Sequence, residues 1–355
     1  EWFGKTVIHS DRRFTYEDAQ KIIETGEGEL AHELLKLNEL AIKLRDERFR
    51  QGSIAFDRIE IKFNIDENGK PLSVYFKQAM EANQLIEEFM LLANKRVAEF
   101  VGKPGRQKKP KTFVYRIHDK PDPDKLESFN TFINRFGYGI QMTTPKSISH
   151  SLNNLLQNVR GKKEQNVVET LAIRSMAKAE YSTRNIGHYG LSFDFYTHFT
   201  SPIRRYPDMM VHRLLEKYLD GGRSASEKKY EDLCHHSSDM EARAVNAERA
   251  SVKYKQVEFM QDHVGEVYPG VISGVTDWGI YVELENKIEG MVPIRELDDD
   301  FYEKNKKNYA LVGRHKNKTY QLGDDVNVKI WRTNLERKQL DLQLAENNED
   351  GHFEY

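Results

Sequence analysis

The sequence predicts an α+β unit followed by a small all-β barrel, and three patterns point to it. Apolar residues recur alternately at helical and at strand spacing through the first part of the chain. Residues 226–264 contain neither proline nor glycine, which suits one long helix. After Gly265 the chain breaks into short alternating runs separated by turn residues.

Leu30, Leu34, Leu37, Ala41 and Leu44 follow Gly28 at helical steps and predict a helix with one apolar face. Ile59, Ile61, Phe63 and Ile65 alternate, Asn68-Gly69 turns the chain, and Leu72, Val74 and Phe76 alternate again, which predicts a hairpin. Leu85, Phe89, Leu92, Val97 and Phe100 form a second helical stripe, and residues 113–118 read as a short strand. Asp122 fits a helix cap with Pro123 at the first helical position. Leu126, Phe129, Ile133 and Phe136 continue that helix, and Gly137 closes it. Along residues 226–264, Leu233, Met240, Ala244, Ala247, Ser251 and Tyr254 trace a narrow seam whose small residues favour close packing on the preceding unit. Strands are expected at 267–275, 278–284, 288–294, 326–331 and 339–344, the number and length of an OB-fold barrel. The expected division is residues 1–264, residues 265–346, and an acidic tail over 347–355.

With 355 residues, 38% of them hydrophobic and 31% charged, the chain can bury two sizeable cores. A formal net charge of -2 places any affinity for a polyanion in local clusters of cations. The single cysteine, Cys234, excludes an internal disulfide and a cysteine-rich zinc site, as expected of a cytoplasmic protein. No run of about 18 apolar residues suggests a membrane span.

The densest chemistry lies in His198-Phe199-Thr200-Ser201-Pro202-Ile203-Arg204-Arg205-Tyr206-Pro207-Asp208. Two prolines constrain the segment, two guanidinium groups project from it, and a helix is expected to start at Pro207. Such a corner binds phosphate through arginine forks and a helix amino end; alternatively, the arginines are surface groups paired with Asp208 and neighbouring carboxylates. A basic loop over 103–111 either guides a polyanion or is solvated surface. Phe113 and Tyr115 share one strand face, which either packs inward or meets a base. His198 and Ser201 lack the orienting acid and nucleophile elbow of a serine hydrolase.

The 198–208 segment, together with Asn185-Ile186-Gly187-His188-Tyr189-Gly190-Leu191, resembles the signature of the ribonuclease II and ribonuclease R exoribonucleases. The similarity extends through Thr6-Val7-Ile8-His9-Ser10-Asp11-Arg12-Arg13-Phe14 and Leu85-Ile86-Glu87-Glu88-Phe89-Met90 to about Leu344, and is nearer to the ribonuclease R side. The resemblance implies a ribonuclease II-type nuclease unit that degrades single-stranded RNA processively from 3′ to 5′ into nucleoside monophosphates. It assigns a catalytic phosphate clamp to Arg204 and Arg205, and RNA contacts to His198, Thr200 and Ser201. It also implies a base-stacking ring near Phe113 and Tyr115, and a strand-contacting Glu248 within Asn246-Ala247-Glu248-Arg249. The structural alternative for Glu248 is a helix ion pair with Arg249 or Lys253.

Family members hold divalent metal, Mg²⁺ here, on an aspartate cluster upstream of the segment resembling residues 5–14. The chain is therefore expected to be a C-terminal part of the enzyme with the metal ligands outside it, inactive alone. Asp122, Asp124 and Asp298-Asp299-Asp300 have simpler structural uses as a cap and as solvated surface. Gly265-Glu266-Val267-Tyr268-Pro269-Gly270-Val271-Ile272, Gly279-Ile280-Tyr281-Val282 and Glu289-Gly290-Met291-Val292-Pro293 resemble the ribosomal-protein type of OB-fold RNA-binding domain. On that likeness Trp278 and Tyr281 stack on bases, one of them alternatively belonging to the core, while Arg295, Lys329 and Arg332 meet phosphates. The expected partner is single-stranded RNA, with no membrane and no stable protein partner. The alternative is a non-catalytic single-stranded RNA-binding module.

Overall fold

A computed structural model of the chain describes residues 2–54, 60–77, 79–103, 110–162, 164–305 and 309–345. Helix α1 (Tyr16–Thr25) begins where the Thr15 hydroxyl accepts the Asp18 N–H at 3.0 Å. It packs with α2 (Ala31–Gln51). The predicted stripe on α2 is displaced, because Leu37 and Leu40 are exposed while Asn38, Ala41 and Arg48 turn inward. The cause is polar: Arg48 is buried against Glu88, with Nε 3.3 Å from Oε2, and donates to the Ser53 hydroxyl at 2.6 Å.

The predicted hairpin is present as β1 (Glu60–Ile65) and β2 (Pro71–Lys77), with Ile61 opposite Phe76 and Phe63 opposite Val74. Ile59 lies outside the described residues, as do residues 104–109 of the basic loop and the acidic tail. Asp66 Oδ1 accepts the N–H groups of Asn68 and Lys70, and Gly69 supplies the turn's positive φ of 80°. Helix α3 (Glu81–Gly102) packs on α1 and α2 and carries Glu88.

Strand β3 (Tyr115–His118) leads into α4 (Pro123–Ile133), α5 (Pro145–Val159) and α6 (Gln165–Ser175), then pairs antiparallel with β4 (Ala179–Ser182). Asp122 caps α4 through the N–H groups of Asp124 and Lys125, and Gly137 ends the following 3-10 turn at φ 79°, as the sequence predicts. Helices α4 to α6 share one apolar core containing Phe129, Phe132 and Leu152.

A second core joins β3 to α7 (Tyr206–Leu219) and α8 (Glu227–Met260) through Phe113, Met210, Val211 and Cys234. Burial pushes the Cys234 thiol up to about 12. The long helix is present, but its predicted seam is not a packing seam. Met240, Ala244, Ala247, Ser251 and Tyr254 are exposed, and burial is confined to Cys234 and Ser237 near one end and Gln256, Val257 and Met260 near the other. Small residues permit close packing without supplying the apolar area that drives it.

The barrel contains β5 (Val267–Thr276), β6 (Gly279–Leu284) and β7 (Glu289–Pro293), then an insert of β8 (Tyr302–Asn305), β9 (Ala310–Gly313) and β10 (Thr319–Gln321), and finally β11 (Asp325–Asn334) and β12 (Gln339–Leu344). The order β11-β12-β7-β6-β5 closes because β11 pairs with β5. All five predicted strands are there; the three-stranded insert was not anticipated. Gly279 has φ 149°, and a Cβ there would stand 2.1 Å from the Val292 carbonyl oxygen, so only glycine lets β6 approach β7.

Residue 265 does not separate two independent cores. Val257 and Met260, at the end of α8, are fully buried among barrel residues Ile272, Ile280 and Val328. Leu322, from the barrel half, belongs to the α4–α6 core, and the Tyr309 ring stands 5.3 Å from that of Phe132. Removing residues 265–355 would therefore uncover apolar surface on both sides. Met260→Ala is expected to cost about 2–5 kcal/mol in urea unfolding monitored by circular dichroism, whereas a surface helix residue would leave the midpoint unchanged.

Candidate nucleic-acid interface

The segment from His198 to Arg205 is held from three sides by side chains that take its backbone hydrogen bonds. Asn94, buried on α3, accepts the N–H groups of Phe199 at 2.9 Å and Thr200 at 3.2 Å through Oδ1 and donates to the Tyr196 hydroxyl at 3.2 Å. Asp208, in the first turn of α7, accepts the Ser201 N–H at 2.7 Å. His212 bonds the Phe199 carbonyl at 2.8 Å, and the two rings stack 4.2 Å apart at 7°. Three successive amides are thereby satisfied internally and are not offered to a ligand.

The two arginines part company here. Arg205 Nη2 donates to Asp208 Oδ1 at 2.9 Å, and its Nε sits 2.9 Å from Oδ2, off the line a hydrogen bond needs. Asp208 is fully buried, so Arg205 balances a charge removed from water. The paired alternative is present at Arg205, whose side chain is committed to Asp208 and partly covered. Arg204 is exposed between the fully exposed Ile203 and the exposed ring of Tyr206. It has the steric freedom that bidentate capture of phosphate requires.

Behind the loop lies a network of rings. The Tyr181 hydroxyl and His198 Nδ1 are 2.8 Å apart, and Arg116 stacks over Tyr181 at 4.5 Å while donating to both oxygens of Glu241 at 2.6 and 3.1 Å. Burial first, then the nearby Arg205 and Arg116, push His198 down to about 2. His198 is therefore a neutral hydrogen-bonding support, and Tyr181, raised to about 12 by burial, keeps its proton. The Thr200 hydroxyl is buried with no hydrogen-bond partner. The Asn185–Leu191 signature is scaffold: Asn185 donates to the Asp194 carbonyl at 2.8 Å, and the Gly190 N–H donates to His118 Nδ1 at 2.9 Å.

Phe113 and Tyr115 do not present a stacking face. They are 0% and 4% exposed, lie edge-on to each other at 5.8 Å, and pack in the α7 core, which settles the open alternative in favour of packing. Glu248 is exposed on α8; the carboxylate of that helix that reaches the loop's support is Glu241. Lys253, its suggested ion-pair partner, instead donates to the Glu289 carbonyl.

On the barrel, Trp278 is 78% exposed at the β5–β6 turn and Tyr281 is half-buried on β6. The register runs from Tyr281 to Met291, from Met291 to Asp341, and from Asp341 to Arg332, with Lys329 opposite Gln343 in the next row. Tyr281, Lys329 and Arg332 therefore share one outer wall. Arg332 is held 2.6 Å from Asp341, while Lys329 and Arg295 are exposed, Arg295 with its Nε 3.5 Å from Glu296. Sequence reasoning missed Asn94, Tyr181, Arg116 and Glu241, whose roles arise from contacts between distant segments.

The described residues form no group suited to a catalytic metal. Among the described residues no group of three or more His, Cys, Asp or Glu side chains could hold one. Asp208 serves Arg205, Asp299 bonds Tyr302 and Lys318, and Asp300 accepts backbone N–H groups.

Comparison with known proteins matches residues 1–221 to the RNB domain and residues 261–344 to the S1 RNA binding domain. Ribonuclease R 1 of Lactococcus lactis is 36% identical over 351 residues, covering 96% of this chain and 42% of that protein. Ribonuclease R of Aquifex aeolicus is 36% identical over 358 residues, covering 96% and 49%. The apo form of Mycoplasma genitalium RNase R superposes with a TM-score of 0.85 at 26% identity, covering 94% of this chain and 53% of that one. Its complex with ribose-methylated single-stranded RNA gives 0.84 at the same identity and coverage. The chain thus spans about half the length of the curated relatives it matches. It belongs to the RNB family, as a ribonuclease R-like RNB region followed by an S1 RNA-binding barrel of the OB fold.

Proposed function

We propose that this chain supplies the phosphate clamp and the RNA-gripping barrel of a processive, cytoplasmic 3′-to-5′ exoribonuclease that releases nucleoside monophosphates. The observation that carries this reading is the exposed Arg204 on a loop whose own amides are already satisfied by Asn94 and Asp208. A loop fixed before its ligand arrives spares the backbone reorganisation as charge develops on the phosphoryl group. Neutral His198 supports the loop without adding charge. Trp278 and Tyr281 are suited to stacking on bases of any identity, while Arg295 and Lys329 bring cations to the backbone. Thr200 and Ser201 act through the loop's geometry, and Glu248 meets the strand farther along α8.

The divalent metal belongs, in this proposal, to residues outside the chain, and Mg²⁺ supplies the hydrolytic chemistry in the intact enzyme. Alone, the chain acts as a single-stranded RNA-binding module, a reading favoured by the prior engagement of Asp208, Asp299 and Asp300.

Purified chain is expected to retain a labelled oligoribonucleotide intact in Mg²⁺ or Mn²⁺; metal-dependent release of monophosphates would reverse this. In the intact enzyme, Arg204→Ala is expected to lower kcat by about a hundredfold or more with KM nearly unchanged and thermal stability retained. Arg205→Ala should instead destabilise the fold by about 3–5 kcal/mol, because it strands the Asp208 carboxylate. Unfolding curves and single-turnover kinetics on both variants separate the two roles, and equal behaviour would refute the division between them. Trp278→Ala is expected to weaken single-stranded RNA binding by about 1–3 kcal/mol in filter binding without changing the slope against salt. Lys329→Ala should make that slope shallower.

A further inference from the structure

The insert in the barrel displays two aromatic rings that its core does not use. Phe301 is 75% exposed, the His315 side chain is 72% exposed, and their ring centroids lie 6.1 Å apart at 65°. One carboxylate fixes the His315 ring and the backbone that carries Phe301. Asp300, with its side chain wholly removed from solvent, accepts the N–H groups of Phe301 at 2.7 Å, His315 at 2.9 Å and Lys316 at 2.6 Å, and bonds His315 Nδ1 at 2.8 Å. The Arg314 N–H also donates to the Phe301 carbonyl at 2.9 Å. Gly313 makes room for the arrangement, since a Cβ there would stand 2.5 Å from Asp300 Oδ2. A loosely exposed ring is ordinary; an exposed ring held by a carboxylate, with a second ring beside it on an anchored backbone, forms a preorganised surface.

The rings overlook a cleft of about 630 Å³ lined also by Ile294, Arg295, Asp298 and Tyr302. The Trp278 carbonyl accepts the N–H of the lining residue Ile294 at 2.8 Å. Lys304 of the insert lies 3.6 Å from Asp277 in the β5–β6 turn and ties the insert to that turn. Arg295 and Phe301 both line the cleft, so a guanidinium and a ring border one space. Exposed Asp298 disfavours a phosphate inside and can accept a hydrogen bond from a base edge. Among the described residues, no acidic group here is arranged to hold a metal ion.

We propose that Phe301 and His315 form a second nucleobase-stacking site of the barrel, taking one base of a single-stranded RNA whose backbone passes Arg295. The proposal deepens, and rests on, the RNA-binding reading of the barrel. Its test is a fluorescence-anisotropy titration of the full chain with an oligouridylate, comparing the unmodified chain with Phe301→Ala and Phe301→Trp. Loss of stacking should weaken binding by about fivefold or more in Phe301→Ala, while Phe301→Trp retains it, with all three unfolding at the same temperature. Irradiated RNA carrying 5-iodouridine should leave an adduct on the peptide containing Phe301. Tight binding that survives Phe301→Ala, with no adduct on that peptide, would overturn this site and leave the barrel's RNA role intact. Equal losses in the alanine and tryptophan variants would overturn stacking as the mechanism. No binding by the unmodified chain would overturn both readings.

Discussion

The buried carboxylate of Asp208 is the constraint on which the phosphate corner depends. Removed from water, it must be matched by positive charge and by hydrogen-bond donors, and it obtains them from Arg205 and the Ser201 amide. That requirement bends the chain over the first turn of α7 and commits Arg205 to the interior. Arg204, next in sequence and pointing into solvent, remains available. Asn94 completes the arrangement from α3 by taking the two preceding amides, so elements far apart in the chain determine where one guanidinium stands.

The barrel depends on the same helix scaffold through different forces. Val257 and Met260 extend α8 into its core, and Lys70 and Lys255 tie the β1–β2 hairpin to the end of that helix, at 2.7 Å to Asp262 and through the Gly69 carbonyl. Apolar burial sets the barrel in place, while the polar contacts at the margin join the hairpin to the helix. A chain whose net charge is only -2 can still present cations to a polyanion, because Arg204 and Lys329 are exposed while basic groups such as Arg205, Lys318 and Arg332 sit against carboxylates.

Local patterns were legible where the structure is local. The Asn68-Gly69 hairpin, the Asp122 cap before Pro123, the extent of α8 and the five barrel strands follow from turn chemistry, capping and alternation. The insert escaped because its strands are three or four residues long and its organiser, Asp300, reads in sequence as part of an acidic surface run. The α8 seam misled because alanine and serine spacing describes how closely a partner could approach, not whether one is present. Phe113 and Tyr115 were ambiguous since alternation marks a face without saying what covers it, and here α7 does. The division of labour between Arg204 and Arg205 was illegible for the same reason: adjacent identical side chains diverge only once Asp208 is buried.

Burial also determines how the corner responds to pH. His198 is pushed down to about 2 and His188 to about 3, both chiefly by desolvation, and His118 is lowered as well. The folded state therefore keeps these imidazoles neutral around neutrality, and the positive charge at the loop rests on arginine. In the unfolded chain the same histidines take up protons near their ordinary value of about 6.5. Below that value the unfolded state binds protons that the folded state refuses, so stability falls as pH drops from about 6.5 toward 3. Above it, their contribution is fully present. At this loop acid acts first on the neutral histidine scaffold that holds Arg204 in place.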